Sequence, residues 1–213
     1  MTFISVAETN GAILPIGDWV LETACRQLLQ WQRDGLHGIT LSVNVSGCQL
    51  RDPGYAERVH QTLTRTGVSA LLIELEITET QALQTQSEGA QTLLSLRELG
   101  VKLAIDDFGV GYSSLARLHT LPVDRFKIDQ SFVRDLANSP KAQAISQCFI
   151  SMGLAMGMEV VAEGVETLVQ HQLLVDQGCS LIQGYLTGRP MTASALLTFF
   201  GTSSPPRPAE TLT

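Results

Sequence analysis

The sequence predicts an α/β fold: a (β/α) barrel of the TIM type that is incomplete, with about six of the eight strand–helix units and a functional site at the C-terminal rim. Three observations predict this fold. Short runs rich in β-branched residues alternate with amphipathic segments, which indicates a parallel sheet with helices outside it. Each run carries a polar residue near its end. The chain has 213 residues, 44% of them apolar, which suffices for one sizeable core.

Six short runs have the composition of buried strands. They are residues 38–46, 71–79, 102–109, 125–129, 159–166 and 181–186. Val, Ile and Leu recur in these runs, as in strands that helices cover on one face. They predict a parallel sheet of six strands in a single domain over residues 1–200.

Amphipathic helices are predicted between the strands, and a glycine ends each of them. The predicted helices are residues 16–34, 87–99, 141–157 and 167–177. In the first, Val20, Ala24 and Leu28 recur at helical spacing. The tail, residues 201–213, is rich in Pro and Ser, and we predict that it is disordered.

Two architectures alternate strands with helices, an open doubly wound sheet and a barrel. No Gly-x-Gly-x-x-Gly follows the first predicted strand, so the dinucleotide-binding form of the open sheet loses its main signal. Polar residues lie near the C-terminal end of every predicted strand: Asn44, Glu76, Asp106, Lys127, Glu163 and Gln183. In a barrel these ends are neighbours at one rim, where barrel enzymes have their sites.

Alternation within the strands predicts which way these polar residues face. Residues two apart on a strand share a face, so Glu74 and Glu76 lie opposite Leu75, and Lys127 lies opposite Phe126. The apolar face would meet the helices, and the polar residues would converge inside. A single Asn or Gln at a strand end is more often a turn former or a partner of the backbone. Six in succession favour a functional site.

Composition excludes several classes of protein. The net charge of −7 with no basic run argues against binding a nucleic-acid polymer, while a small phosphorylated ligand held through metal ions stays open. No apolar run approaches the ~20 residues that cross a bilayer, and the first residues lack the basic start of a secretory signal. The four cysteines form no Cys-x-x-Cys pair, which predicts reduced, mostly buried thiols in a cytoplasmic protein.

The rim residues predict metal chemistry. Asn44, Glu76, Asp106 and the adjacent Asp107 offer only oxygen ligands, which are typical of Mg²⁺ or Mn²⁺ and not of zinc or copper. Adjacent carboxylates such as Asp106 and Asp107 repel each other when both are ionised. Either a bound cation or a solvated surface turn would make this repulsion tolerable. No Gly-x-Ser-x-Gly is present, so acyl transfer by a serine is disfavoured. Paired metals near a lysine suit phosphate ester hydrolysis.

Six motifs, in order along residues 3–191, resemble those of the EAL domain family: NVS, ELEITE, DDFGVGYSS, FKID, VVAEGVE and QGYLTGRP. The resemblance implies hydrolysis of the bacterial second messenger cyclic di-GMP to linear pGpG, with two Mg²⁺ or Mn²⁺ ions. It implies that Asn44, Glu76 and Asp106 bind one ion. It implies that Asp107 binds the other.

The resemblance also implies roles for four further residues. Glu79 would anchor the loop after the Asp-Asp pair through hydrogen bonds. Lys127 would hold the nucleophilic water or the phosphate, Glu163 would assist at the metal site or as a base, and Gln183 would position water or ligand. Family members commonly form homodimers, here through residues 113–119, and carry sensory or GGDEF-type domains in a longer parent protein.

The Glu-Ala-Leu motif that names the family, and the arginine after it, are not in this sequence. One carboxylate ligand of the metal site would therefore be missing, and six strands leave two unpaired edges. We expect weak or no turnover by the isolated chain. A truncated gene product, a fragment and a subunit completed by a partner all stay open. The alternative to an enzyme is a non-catalytic module that binds cyclic di-GMP or another protein.

Overall fold

The computed structural model describes residues 3–84, 87–111 and 118–202. Six strands form one parallel sheet in sequence order: β1 (Leu41–Asn44), β2 (Ile73–Thr78), β3 (Lys102–Phe108), β4 (Arg125–Ile128), β5 (Glu159–Ala162) and β6 (Leu181–Ile182). The sheet is curled, since Ser42 of β1 and Leu181 of β6 line the same interior cavity of about 300 Å³. The predicted incomplete α/β barrel is confirmed.

The first strand and the last two strands are shorter than the sequence predicts. Residues 38–40, 45–46, 163–166 and 183–186 are not strand, so this part of the prediction is wrong. Residues 163–166 and 183–186 instead join through isolated hydrogen bonds, in which Val165 N–H donates to Gln183 O and Leu186 N–H donates to Val165 O, both at 3.0 Å. The backbones approach so closely here that a Cβ on Gly184 would lie 2.2 Å from the Val165 carbonyl oxygen.

Helices pack against the sheet and around its rim. They are α1 (Phe3–Thr9), α2 (Ile13–Arg33), α3 (Gly47–Leu50), α4 (Tyr55–Thr66), α5 (Glu79–Gln84), α6 (Ser87–Glu98), α7 (Gln130–Val133), α8 (Pro140–Ala155), α9 (Leu168–Asp176) and α10 (Ala193–Thr202). The four predicted helices correspond to α2, α6, α8 and α9. Helices α3 and α7 have four residues each, too few for a periodic signal. Helix α4 is long enough, with Val59 and Leu63 buried, but it is not among the predicted helices.

The core lies between the sheet and the helices, as the alternation predicts. In β2, Ile73, Leu75 and Ile77 are almost completely buried against the helices. Glu74 and Glu76 alternate with them and line the interior cavity. The neighbouring strands contribute in the same way, with these core residues: Leu103, Ile105, Phe126 and Ile128.

The structure bears on three further predictions. All four cysteines are free; Cys25 and Cys179 are buried, whereas Cys148 is exposed. The predicted disordered tail begins inside α10, and residues 203–213 lie outside the described residues. Among the helices that are described, none combines the length and apolarity needed to cross a bilayer.

Candidate metal centre

Four charged side chains from four strand ends meet at the C-terminal rim. The ammonium nitrogen of Lys127 lies 2.7 Å from Glu163 Oε1, 3.1 Å from Glu76 Oε1 and 3.1 Å from Asp106 Oδ1. We refer to these four residues as the Lys127 cluster. They come from β4, β2, β3 and the residue after β5, so the curl of the sheet brings together residues that are distant in sequence.

The charge state of the Lys127 cluster follows from its burial. Lys127 is only 5% exposed, and burial by itself would lower the pKa of its ammonium group. The hydrogen bond to Glu163 and the negative charges of Glu76 and Asp106 outweigh burial and raise that pKa. Burial raises the pKa of Glu163, with the Asp106 and Glu76 charges adding to it and Lys127 opposing it. The three carboxylates therefore favour the charged ammonium form of Lys127.

An irregularity in β3 explains the two adjacent aspartates. The pairing of β3 with β4 shifts register between Ile105 and Phe108, and Asp107 has a left-handed backbone with φ of +53°. Such a bulge turns consecutive residues away from the strict alternation of faces. As a result, carboxylate oxygens of Asp106, Asp107 and Glu163 all lie within 4.8 Å of one another.

The second aspartate lies in an unfavourable electrostatic environment. Asp107 is largely exposed, yet partial desolvation of its carboxyl group raises its pKa, and the neighbouring charges of Asp106 and Asp129 raise it further, while Lys127 opposes them. Oxygen Oδ1 of Asp106 is buried, and although it lies 3.1 Å from the Lys127 nitrogen, no hydrogen bond of good geometry reaches it from the residues that the structure describes. A carboxylate group of this kind fits a hard divalent cation, which would replace the repulsion by coordination.

Glu79 holds the loop that follows the aspartates. Its side chain is 3% exposed, and Oε2 accepts a hydrogen bond of 2.9 Å from the Gly109 N–H. Gly109 has φ of +99°, and a Cβ there would lie 2.7 Å from the Phe132 ring. The loop therefore passes between a buried carboxylate and the Phe132 and Phe149 rings. The segment predicted to form a dimer contact, 113–119, lies mostly outside the described residues, which resume at residue 118.

Asn44 and Gln183 lie at the margins of the centre. Asn44 is the register partner of Glu76 in the β1–β2 pair, so the two are at the same level of adjacent strands. Its exposed side chain lines a larger cavity of about 780 Å³ beside α2. Gln183, one residue after β6, lines the interior cavity together with Glu76 and Lys127. The structure thus brings Glu76, Asp106, Asp107, Lys127 and Glu163 together, with Asn44 and Gln183 beside them.

Sequence reasoning missed Arg125, which lies in the interior directly below Lys127. Arg125 pairs with Glu74, and this ion pair is nearly buried. The signal was present in the alternation of β4, because Arg125 and Lys127 are two residues apart and share a face. Phe132, which packs against the Gly109 loop, had no such signal.

Comparison with known proteins agrees with this geometry. The chain is 42% identical over 197 residues to the cyclic di-GMP phosphodiesterase NbdA of Pseudomonas aeruginosa, covering 92% of this chain and 25% of NbdA. The chain spans about a quarter of the length of the curated relatives it matches.

Solved structures share the fold. A PaMucR phosphodiesterase complex with c-di-GMP superimposes with a TM-score of 0.85 and 39% identity, covering 91% of this chain and 78% of that chain. A manganese and cyclic di-GMP complex of Klebsiella pneumoniae BlrP1 superimposes with a TM-score of 0.74 and 33% identity, covering 85% and 45%. The family model of the EAL domain matches residues 1–190. The chain therefore belongs to the EAL domain family.

Proposed function

We propose that this chain carries the metal-dependent site that hydrolyses cyclic di-GMP to linear pGpG. The observation that carries the proposal is the convergence of Glu76, Asp106 and Glu163 on Lys127, with Asp107 within 4.8 Å of two of these carboxylates. NbdA is a cyclic di-GMP phosphodiesterase, and the PaMucR structure holds c-di-GMP, which supports this substrate for the shared fold.

Two divalent cations, Mg²⁺ or Mn²⁺, are proposed as the cofactors. Asn44, Glu76 and Asp106 would hold one of them, and Asp107 would hold the other, because their donor atoms are the oxygens that hard cations prefer. BlrP1 complexes with manganese and with calcium support a divalent site in this family. When bound, such ions stabilise the attacking and leaving oxygens of a phosphodiester and lower the pKa of a bound water.

The remaining residues would orient the substrate and move the proton. The Lys127 ammonium donates hydrogen bonds and would hold a phosphate oxygen or the attacking water against the carboxylates. Glu163, whose pKa is raised, is suited to accept the proton that the water loses. Gln183 would orient ligand at the cavity mouth, and Glu79 would keep the Gly109 loop in place beneath it.

For the 213-residue chain by itself we propose weak turnover. The Glu-Ala-Leu motif and its arginine are not in the sequence, so one metal ligand and one phosphate contact would have to come from elsewhere. Because the chain spans about a quarter of its relatives, we also propose sensory or GGDEF-type domains on a longer cytoplasmic parent.

The test is an assay of the purified chain with cyclic di-GMP and Mn²⁺ or Mg²⁺, with pGpG resolved by chromatography. Asp106→Asn removes a proposed ligand, and Asp176→Asn on the exposed end of α9 is the matched control. Metal-dependent pGpG formation that Asp106→Asn abolishes and Asp176→Asn retains supports the proposal. Calorimetric binding of cyclic di-GMP without product indicates the non-catalytic module. If the chain neither binds cyclic di-GMP nor hydrolyses it, the proposal is overturned.

A further inference from the structure

A second set of charged side chains lies one level below the Lys127 cluster. Arg125 Nη1 lies 2.7 Å from Glu74 Oε2, and Arg125 Nη2 donates to Glu159 Oε2 at 2.6 Å. Ser42 Oγ donates to Glu74 Oε1 at 2.8 Å. We refer to these four residues as the Arg125 network. The Glu74 side chain is only 2% exposed, so its pairing with Arg125 is largely shielded from solvent.

The Arg125 network includes one contact between strands that are not neighbours, the pair Arg125–Glu74, while Ser42–Glu74 and Arg125–Glu159 join strands that already pair. Its members come from β1, β2, β4 and β5, and the Arg125 side chain reaches across β3 to Glu74. The residue of β3 in register with Arg125 is Ala104. A single methyl group at that position leaves room for the guanidinium to cross the interior.

The two levels repeat one pattern. Arg125 and Lys127 are two residues apart on β4, and each joins a carboxylate of β2 to a carboxylate from β5 or its end. Arg125 joins Glu74 to Glu159, and Lys127 joins Glu76 to Glu163. Three of the four strands that supply the Lys127 cluster, β2, β4 and β5, are therefore tied together directly beneath it.

Nothing in the backbone of the described sheet closes this half-barrel, since β1 and β6 are not paired with each other. Side chains that span the interior can then contribute to the curvature, together with strand twist and the helices packed on the sheet. Arginine suits this task, because its guanidinium is planar, always charged and able to bond two carboxylates in fixed directions.

We propose that Arg125 is a positioning residue: through Glu74 and Glu159 it sets the separation of β2 and β5 at which Glu76 and Glu163 both reach Lys127. Its effect on metal affinity rests on the proposed function, whereas its effect on the Lys127 contacts does not. Loss of the Arg125 network would leave every proposed metal ligand in the sequence but misplace two of the carboxylates.

The test uses the Glu74→Met/Arg125→Met double variant of the full chain. Replacing both partners by apolar groups of similar length avoids an unpaired buried charge, so the variant is expected to fold. Arg65→Met is the matched control, because it removes an arginine that pairs with Glu22 on the helical surface, away from the sheet.

Two measurements decide the proposal. In a metal-free crystal structure of the double variant, we expect Lys127 to lose contact with Glu76 or Glu163, with a separation beyond 4 Å in place of 3.1 and 2.7 Å. Unchanged contacts overturn the proposal, whatever the chain does with metal. In Mn²⁺ titrations of the folded proteins, we expect the dissociation constant to rise about 10- to 100-fold in the double variant and to stay unchanged in Arg65→Met. A parent chain that binds no Mn²⁺ contradicts the proposed function and leaves the structural measurement to decide the role of Arg125.

Discussion

Lys127 is the residue on which the charge balance of the site depends. It forms ion pairs with Glu76, Asp106 and Glu163, and each of the four side chains is at most 16% exposed. In the metal-free chain its ammonium group offsets carboxylates that are also suited to bind cations. Lys127 and the proposed divalent ions would therefore have overlapping electrostatic roles at the rim.

Replacing Lys127 by Met tests that overlap. We expect Lys127→Met to lower the free energy of unfolding in the absence of metal by about 3 kcal/mol, because it leaves buried carboxylates without their cation. Mn²⁺ should raise the melting temperature of this variant more than that of the parent. Thermal unfolding with and without Mn²⁺ measures both effects. Lys141→Met, on the exposed start of α8, is the control, and an equal Mn²⁺ shift in all three proteins would contradict this account.

The raised pKa values of Asp107 and Glu163 make metal stabilisation depend on pH. A carboxyl group whose pKa is higher in the folded chain than in the unfolded chain lowers the stability of the fold when it is ionised. As the pH falls, the group is protonated and this destabilisation disappears. Metal binding requires the ionised form. We therefore expect Mn²⁺ to raise the melting temperature more at about pH 8 than at about pH 5. Asp107→Asn should flatten this dependence, and an equal shift at both pH values in the parent would refute it.

At the scale of elements, the bulge of β3 and the loop after it determine where the second aspartate lies. The register shift between Ile105 and Phe108 presents Asp106 and Asp107 to the same rim. The loop then turns at Gly109, which Glu79 holds from one side and Phe132 contacts from the other. The position of Asp107 thus depends on a glycine that carries no chemistry of its own.

Gly109→Ala tests this dependence. The substitution places a Cβ at φ of +99° and 2.7 Å from the Phe132 ring. We expect it to cost about 2–5 kcal/mol of unfolding free energy, from backbone strain and overpacking together. Gly157→Ala is the matched control, because its φ is +71° but no other atom lies within 4 Å of the added Cβ. That control should cost about 1–2 kcal/mol in urea unfolding. Equal losses in the two variants would show that the Phe132 contact adds nothing.

At the scale of the whole molecule, the sheet is curved without being closed. Helices pack against it and around its rim, its inner face carries ion pairs at two levels, and its edge strands pair on one side only within the described residues. Two buried thiols can be used to probe the packing between helices and sheet. Cys25 lies in α2, and Cys179 lies just before β6.

Thiol reactivity gives a test of this packing. Burial raises the pKa of Cys25 and of Cys179, which lowers their thiolate fraction as well as their access to reagents. We expect Cys148 to react first with a disulfide reagent at about pH 8, and Cys25 and Cys179 to react only as the chain unfolds. Mass spectrometry of the labelled peptides in native buffer and in urea identifies each site. Rapid labelling of Cys179 in native buffer would contradict the packing of β6.

Much of the rim was predictable because strand alternation is a local property. Glu76 and Lys127 lie inside as the pattern of their strands predicts, opposite Leu75 and Phe126. The placement of Asp107 was not predictable from alternation, since adjacent residues on a regular strand face opposite sides and only the bulge brings it to Asp106.

Other features escaped prediction because they depend on the curl of the sheet. Arg125 reaches across β3 to Glu74, which requires two non-adjacent strands to approach each other across the interior. The spacing of residues within one strand does not predict such an approach. The early ends of β5 and β6 depend on the close crossing at Gly184 and Val165, a contact between segments that are separate in sequence.

The Lys127 cluster draws its carboxylates from the second, third and fifth strands, so it forms only when segments far apart along the chain have paired. Interactions that arise late in assembly contribute little to the transition state for folding. Ions that occupy the rim should therefore extend the lifetime of the native chain by slowing its unfolding, while the rate at which it first folds stays nearly the same.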